Sequence, residues 1–596
     1  MQASARVIRW PRAVALIGLA WALAALGFAS RVSAAPPVRS LIVQLKDAPA
    51  HEALDRAQPL DSNRDAEIAR QLPRWQRLLA DARLAVPGVA PTSRPTGRAA
   101  HRIDFGRALS AREIDDLLAR LGASPDVEWV VPNEREQRLQ NVVPSDPMFA
   151  GYSGQWWLQP AGGSDANSIE ARLRGVPGLQ RGWLLSTGAA AVPVAVLDTG
   201  ATAHSELAGR MLPGYDMVSD VEYANDGDGR DPNPSDPGDW ISAAERNDAA
   251  FKDCRLQDSS WHGTVIAGLV AARTDNNAGV AAISWQGRVV PVRVAGKCGA
   301  AVADIVDGMR WAAGLAVPDG QGGWLPRNPN PARVISISFG GDAVCNRAYQ
   351  DAIDELHAIG VVVVAAAGNG HGAVTRPASC AKVVAVAALN RDGFKTSYSS
   401  FGPQVTIATV GGDDASGAWG ALLSDQGLLT IVNHGLAGPG AAGFARSAGT
   451  SFAAPIVAGT ISLMWSVNPA LSVDQVVAGI TVSARPHVTS PWIAACSFAN
   501  PGRCLCSTAT CGAGILDAEQ AMLYASAPAN YAVPARSAEI LDNTDLREAA
   551  ALGPDRPGQA VSVPEPPSGG GGSLQLGGLL ALLAAALLLK VLPRRV

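Results

Sequence analysis

Short apolar runs that end in polar or glycine residues recur through the middle of the chain. Three of them are residues 192–200 (Val-Pro-Val-Ala-Val-Leu-Asp-Thr-Gly), 333–341 (Arg-Val-Ile-Ser-Ile-Ser-Phe-Gly-Gly) and 361–370 (Val-Val-Val-Val-Ala-Ala-Ala-Gly-Asn-Gly). Apolar runs of this length, bounded by turn residues, are typical of buried strands. The pattern predicts three buried strands with chemistry-bearing residues at their carboxyl ends.

Two longer apolar segments predict buried helices, and each has a reactive residue near its start. His262 begins residues 262–270 (His-Gly-Thr-Val-Ile-Ala-Gly-Leu-Val), and Ser451 precedes the apolar residues 456–465. Pro455 fits a first helical turn, where no amide hydrogen is needed. A hydroxyl at a helix start lies beside unpaired N–H groups, which favour negative charge. Ser451 is therefore a candidate nucleophile, although serine is also a common N-cap residue.

Asp198, His262 and Ser451 form a recognisable set. Taken singly, they fit a strand-end cap, a core histidine and a helix cap, but together they follow the Asp, His, Ser order of subtilisin. The motifs Asp-Thr-Gly (198–200), His-Gly-Thr (262–264) and Gly-Thr-Ser-Phe-Ala-Ala-Pro (449–455) closely resemble those of the subtilisin-like serine peptidases. The resemblance covers residues 145–528 and implies an α/β catalytic domain, a mostly parallel sheet with helices on both faces.

The resemblance also implies roles for single residues in peptide hydrolysis through an acyl-enzyme. His262 would accept the proton of the Ser451 hydroxyl, and Asp198 would orient and support the imidazole. The tetrahedral intermediate requires preorganised donors, expected to be the Ser451 backbone N–H and the Asn369 side chain. Asn-Gly is also a plain turn signal.

Substrate binding is expected at the strand ends. In related enzymes a peptide pairs with the edge at 338–341 as an added strand, which implies roles for Ser338, Gly340 and Gly341. Ala366 and Gly368 are expected to be walls of a roomy apolar pocket. The same segment also fits a simple core strand.

The length and net charge of the chain limit the number of domains and the kinds of partner that are expected. Its 596 residues are too many for one compact core, so several domains are expected. The net charge of −4 gives no electrostatic case for a nucleic-acid partner. Residues 1–34 combine arginines, an apolar stretch and small residues, which indicates a secretory signal peptide cut near Ala34 or Ala35, and hence export.

Residues 38–138 show a small α+β pattern. Strands are predicted at 38–45, 101–105 and 126–133, and helices at 61–84, with a break or kink at Pro73, and at 110–121. The pattern and its position resemble the inhibitory propeptide of subtilisin-like enzymes, an intramolecular inhibitor removed by self-cleavage, here between Glu136 and Pro144. An unrelated small domain is the alternative. Residues 155–158 are expected to form an early strand of the mature chain.

All eight cysteines lie within the predicted catalytic domain, which indicates disulfides in an exported protein. We expect Cys254 to pair with Cys298 and Cys345 with Cys380. The other four are expected to pair among themselves in an order left open; they are Cys496, Cys504, Cys506 and Cys511. Zinc is the alternative there, but the C-x-C pair has no matching second pair.

Aspartates and glycines crowd residues 216–240. Oxygen ligands spaced by turn-forming glycines suit calcium, and related secreted peptidases often carry calcium here. We predict a structural calcium ion with the candidate ligands Asp220, Asp226, Asp228 and Asp231. A solvated acidic loop is the alternative, and the spacing is not that of an EF-hand.

The C-terminal residues predict a linker and a tail. Residues 529–573 are rich in alanine, proline, acidic residues and glycine, which is typical of a linker. Residues 574–592 are almost wholly apolar and are followed by Arg594 and Arg595, which predicts a transmembrane segment with a cytoplasmic end. With the preceding glycine run, this tail resembles bacterial GlyGly-type sorting tails cut by an intramembrane peptidase. A permanent anchor is the alternative.

The sequence thus predicts an exported, self-processed serine endopeptidase acting on proteins and peptides. The alternative from another class is a catalytically inactive, surface-anchored binding protein, which would have lost a triad residue. A serine esterase of the α/β-hydrolase class needs a G-x-S-x-G elbow and the order Ser, Asp, His, and both conflict with this chain.

Overall fold

The computed structural model describes residues 38–46, 62–96, 100–133, 142–151, 153–163 and 172–555. The chain divides into two units, with the boundary after Leu139. The predicted signal peptide (1–34), the tail (574–592) and most of the expected self-cleavage region lie outside the described residues.

The N-terminal unit has the predicted α+β pattern. Its antiparallel sheet has the strand order β2-β3-β1-β4, formed by β1 (Ser40–Leu45), β2 (Thr92–Thr96), β3 (Ala100–Asp104) and β4 (Val127–Pro132). Helices α1 (Ser62–Ala85) and α2 (Ala111–Gly122) contribute Leu78 and Leu117 to a core with Leu41, Val43 and Leu45. The predicted break at Pro73 is wrong, because α1 continues through it. Strand β2 was missed because Thr-Ser-Arg-Pro-Thr has no apolar alternation; it forms by pairing with β3.

The second unit is built around a seven-stranded parallel sheet with the order β11-β10-β9-β8-β5-β7-β6. The strands are β5 (Val194–Asp198), β6 (Tyr215–Asp216), β7 (Val289–Arg293), β8 (Val334–Ile337), β9 (Val362–Ala366), β10 (Val383–Leu389) and β11 (Ile407–Val410). Every residue of these strands is buried, as expected for a parallel sheet covered on both faces. A separate hairpin pairs β12 (Leu428–Asn433) with β13 (Ala442–Ser447).

Helices cover both faces of this sheet. They are α3 (His262–Ala271), α4 (Val302–Ala312), α5 (Arg347–Ala358), α6 (Thr450–Val467), α7 (Val473–Val482) and α8 (Ala518–Ser526). Alternate residues of a strand point to opposite faces, so Val194 and Val196 pack with α3 and α6, whereas Ala195 and Leu197 pack with α4 and α5. The predicted α/β fold is confirmed. Within the described residues, α6 alone is long and apolar enough to cross a membrane, and 89% of its apolar window is buried in the domain.

Residues 155–158 do not form the predicted strand. Trp156–Leu158 is a 3₁₀ turn whose side chains are all buried. The Trp156 indole N–H donates to the Gly427 carbonyl at 2.7 Å, and that of Trp157 donates to the Leu429 carbonyl at 3.2 Å. Tryptophan side chains therefore anchor this segment to the rest of the second unit.

All eight cysteines form disulfides. The expected pairs Cys254–Cys298 and Cys345–Cys380 are confirmed, and the order left open is Cys496–Cys504 and Cys506–Cys511. The sulfur atoms of Cys496, Cys506 and Cys511 lie within 4.8 Å of one another. Because all three are in disulfides, they offer no thiolate to zinc.

The linker prediction is wrong for residues 529–555. These residues include helix α9 (Thr544–Ala551), and Leu541, Leu546 and Ala549 are buried in the core of the second unit. Arg172 and Arg174 form ion pairs with Asp545 and Glu539 of this segment. The folded unit thus extends to Asp555, which is 1% exposed.

Replacing Asp555 by alanine should strongly destabilise the second unit. Its carboxylate pairs with the buried Arg503 guanidinium at 3.2 Å and accepts the backbone N–H groups of Trp419 and Arg503. Removing one member of a buried ion pair costs about 3–5 kcal/mol, because the other charge stays buried. Denaturant unfolding measures the loss, and the exposed Glu548→Ala on α9 is the control, expected within about 0.5 kcal/mol of wild type. Equal stability of the two variants would contradict the conclusion that Asp555 anchors the C-terminal end of the folded unit.

Candidate active site

The three predicted strands lie side by side, in the order β9-β8-β5. Asp198 is the last residue of β5, Ser338 directly follows β8, and Asn369 follows the end of β9 by three positions. Because the carboxyl ends of parallel strands meet at one edge of a sheet, these residues gather at the place where such sheets bind ligands.

Asp198 and His262 form a direct pair. His262 Nδ1 lies 2.8 Å from Asp198 Oδ1 and 2.9 Å from Oδ2, and Asp198 is 1% exposed. Helix α3 can approach β5 this closely because residue 263 is glycine, since a Cβ there would lie 2.0 Å from the Gly200 carbonyl oxygen. An Nδ1–H that donates to the carboxylate leaves Nε2 as a proton acceptor. This is the tautomer that a general base requires.

Two further buried carboxylates lie near this pair, and neither was among the predicted residues of the active site. Asp236 Oδ2 accepts the Thr199 hydroxyl at 2.6 Å, while Asp239 accepts the Ser260 hydroxyl at 2.8 Å. Burial raises the pKa of Asp236 to about 7. For His262, burial alone would lower the pKa, but the charges of Asp198, Asp239 and Asp236 raise it above the ordinary value.

Ser451 is the second residue of α6, whose first turn contacts His262 through Phe452. The ring of the next residue, Phe452, has its centroid 5.8 Å from that of His262. The Ser451 hydroxyl donates to the Ser338 carbonyl at 3.2 Å, and the Ser338 hydroxyl donates to the Ser451 carbonyl at 2.8 Å. To act as the predicted nucleophile, the hydroxyl would have to turn from Ser338 to His262 Nε2. Catalytic hydrogen bonds often tighten in this way only when substrate binds.

Asn369 is held in one orientation by Thr450, a residue that the sequence analysis did not single out. Asn369 Oδ1 accepts the Thr450 N–H at 3.0 Å and the Thr450 hydroxyl at 2.8 Å, and the hydroxyl in turn accepts the Gly368 N–H at 3.2 Å. The amide nitrogen therefore lies at the other end, 3.5 Å from the position of a Cβ on Gly449. A preorganised N–H donor thus lies close to the backbone that leads into Ser451.

Replacing Asn369 by alanine should lower kcat by about 10²–10³ and leave KM almost unchanged. The donor acts on the negative charge that develops after the hydroxyl attacks, so its loss affects the transition state more than substrate binding. Steady-state kinetics on one peptide substrate separate the two constants. A rise in KM with unchanged kcat would instead place Asn369 in ground-state binding.

The residues predicted to bind substrate flank the same strand ends. Gly340 and Gly341 continue from β8, while Ala366 ends β9 and is 5% exposed. A Cβ on Gly368 would lie 3.0 Å from the Thr375 hydroxyl and 3.1 Å from the Ser400 hydroxyl. Gly368 is therefore bordered by hydroxyl groups, which the apolar expectation did not include.

The predicted calcium ligands are not assembled. Asp220 caps a short helix by accepting the Glu222 N–H, and Asp231 accepts the Asn233 N–H. Asp226 pairs with Arg293, a fully buried guanidinium that also contacts Asp216. Across the described ranges, no three of the four predicted carboxylates, Asp228 included, lie close enough to share an ion. As arranged, these residues do not fit the predicted calcium site.

The comparison with known families agrees with the geometry. The model of the subtilase family matches residues 189–513, more than half of the chain. The chain belongs to the subtilase family. This subtilase is 38% identical over 422 residues to an extracellular protease of Xanthomonas campestris pv. campestris, covering 70% of this chain and 63% of the relative. It is 34% identical over 377 residues to an extracellular basic protease of Dichelobacter nodosus, covering 63% of this chain and 56% of the relative.

This subtilase is also similar to a solved protease structure from Pseudoalteromonas arctica. The sequence identity is 37% and the TM-score is 0.53, over 64% of this chain and 99% of that one. The chain spans about three-fifths of the length of these two curated relatives.

Proposed function

We propose that this subtilase is a secreted serine endopeptidase that hydrolyses peptide bonds in proteins. The observation that carries the proposal is the buried Asp198 carboxylate on His262 Nδ1, next to the first turn of α6, which carries Ser451 and contacts the same imidazole through Phe452. An imidazole held in this tautomer is a base poised to activate a neighbouring hydroxyl.

In the proposed reaction, His262 Nε2 takes the Ser451 proton as Oγ attacks the substrate carbonyl. The resulting oxyanion is met by the Asn369 amide and by the Ser451 N–H, one of the unpaired donors of a first helical turn. The imidazolium, supported by Asp198, then gives its proton to the leaving amine. Water then attacks the acyl-enzyme. His262 takes a proton from the water and returns it to Ser451 Oγ as the acyl group leaves. No step involves a metal ion.

Matched peptide amide and peptide ester substrates test the reaction class. A peptidase should hydrolyse both, whereas an esterase would cleave the ester alone. An inactive binding protein would cleave neither. Cleavage inside a peptide blocked at both ends, mapped by mass spectrometry, further separates an endopeptidase from an exopeptidase.

We also propose export and self-processing. Two extracellular relatives and the secretory pattern of residues 1–34 support export. The α+β unit before the catalytic domain supports an inhibitory propeptide that is cut between Glu136 and Pro144. For the glycine run and the apolar residues 574–592, we retain the proposal of a sorting tail cut by an intramembrane peptidase. Such a cut must fall after Asp555 if the folded unit is to keep its buried anchor.

A further inference from the structure

Arg376 lies against the end of the segment that follows β8. The Gly341 N–H donates to the Arg376 carbonyl at 3.2 Å, and the Arg376 N–H donates to the Ala343 carbonyl at 2.8 Å. A Cβ on Gly341 would lie 3.2 Å from Arg376 Nε and 3.3 Å from Nη2. The guanidinium group therefore covers the face from which a side chain at position 341 would project, and glycine leaves room for it.

The charge of this guanidinium group is available to a ligand. Arg376 is partly exposed. Among the residues that the structure describes, no carboxylate forms an ion pair with it, and this includes the exposed Asp342 next to Gly341. By contrast, Arg293 and Arg503 are fully buried and paired with aspartates.

The backbone of residues 338–341 sets the position of a bound strand. Alternate residues of an extended segment turn their hydrogen-bonding groups to opposite edges. Beyond the end of β8 at Ile337, Gly341 forms an isolated antiparallel bridge with Arg376. In a backbone that stays extended up to this bridge, Ser338 and Gly340 face the other edge. The Ser451 hydroxyl touches the Ser338 carbonyl, which places P1, the residue whose carbonyl is attacked, opposite Ser338. A substrate that pairs antiparallel then has P3 opposite Gly340 and P4 opposite Gly341.

This pairing brings the P4 side chain to the guanidinium group. Directly opposed residues of an antiparallel pair have Cβ atoms about 4.5–5.5 Å apart, on the same face. The P4 side chain therefore projects on the face of Gly341 that Arg376 covers. A glutamate or aspartate at P4 can reach the guanidinium group, whereas a lysine there is repelled.

We propose that Arg376 is a specificity-determining residue that favours an acidic side chain at P4 of a protein substrate. This proposal rests on the proposed function of the site. It extends that function from peptide hydrolysis in general to a preferred class of cleavage sequence.

The test uses internally quenched peptides that differ only at P4, carrying Glu, Gln or Lys, with the cut mapped by mass spectrometry. For the wild type, kcat/KM should be about two- to fivefold higher for Glu than for Gln, the size expected for a partly exposed ion pair, and lowest for Lys. Raising the salt from about 0.05 to about 0.5 M should bring the Glu-to-Gln ratio towards one, because salt screens exposed charges. The same exchange at P3 should change kcat/KM little.

Three variants distinguish an effect of the Arg376 charge from an effect on folding. Arg376→Gln should bring the Glu-to-Gln ratio close to one, and Arg376→Lys should keep the preference. Arg347→Gln is the matched control, because it removes the same charge from an 89% exposed side chain on α5, and it should leave the ratio unchanged.

The outcomes for this proposal and for the proposed function are distinct. Cleavage of the Gln peptide without a P4 preference, a preference that survives in Arg376→Gln, or a stronger preference at P3 would each overturn the role of Arg376 and leave the peptidase intact. Should Arg376→Gln not fold, the salt dependence in the wild type decides alone. If the wild type cleaves none of the peptides, the proposed function itself fails.

Discussion

Replacing Ser451 by alanine should abolish peptide hydrolysis and leave the precursor uncut between Glu136 and Pro144. The alanine has no hydroxyl to form the acyl-enzyme, so only the oxyanion donors and substrate binding remain. For the corresponding change in subtilisin itself, kcat falls by about 10⁶, and a residual rate of about 10³–10⁴ over water persists. Active-site kinetics measure the first effect, and the mass of the accumulated precursor measures the second.

The control is Ser462→Ala on the same helix, α6. The Ser462 hydroxyl donates to the Val192 carbonyl at 2.8 Å, away from the triad. This variant should lose a little stability, about 1 kcal/mol, and keep its activity and processing. Normal self-processing of the Ser451 variant, in a host without other proteases, would contradict the assignment of the nucleophile.

Asp198→Asn should lower kcat by about 10⁴. An amide can donate to His262 Nδ1 and so favour the tautomer that carries its proton on Nε2, which cannot accept the Ser451 proton. Because the Asp198 charge is among the causes that raise the His262 pKa, its loss should also lower that pKa. The base works only when unprotonated, so the acid limb of kcat/KM should move to lower pH.

A pH profile of the asparagine variant checks both effects. Asp236 and Asp239 remain, and their charges still raise the His262 pKa, so the shift should be partial. A variant that keeps more than a tenth of the wild-type kcat, or an acid limb that moves to higher pH, would contradict the role given to Asp198.

Local motifs predicted the fold, and they predicted Asp198 and His262, which the structure brings into contact. Asp198 ends a strand, His262 begins a helix and Asn369 follows a strand. The apolar pattern of each element is contained in a short run of sequence, so the strand end or helix start could be placed without knowing any distant contact. Thr450 was missed for a different reason. Its role depends on hydrogen bonds to Gly368 and Asn369, which are far away in the sequence.

Two segments differ from their expected arrangement because of distant charges. Residues 529–555 have the alanine- and proline-rich composition of a linker. They are folded in the structure, where their acidic side chains form ion pairs with Arg172, Arg174 and Arg503. Likewise, the acidic residues 216–240 resemble a calcium site, but Arg293 of β7 supplies the cation that pairs with Asp226. No local pattern in either segment indicates which distant arginine will lie there.

Labelling with a serine-directed phosphonate tests the central claim most directly. The reagent reacts with a serine only where a base and an oxyanion site act together, so it reports on the whole arrangement of Asp198, His262, Asn369 and Ser451. The account predicts one label, on Ser451, in folded protein whose new N-terminus lies between residues 136 and 144, and no label after heat unfolding. A label on another serine, or no label on a folded chain, would contradict it.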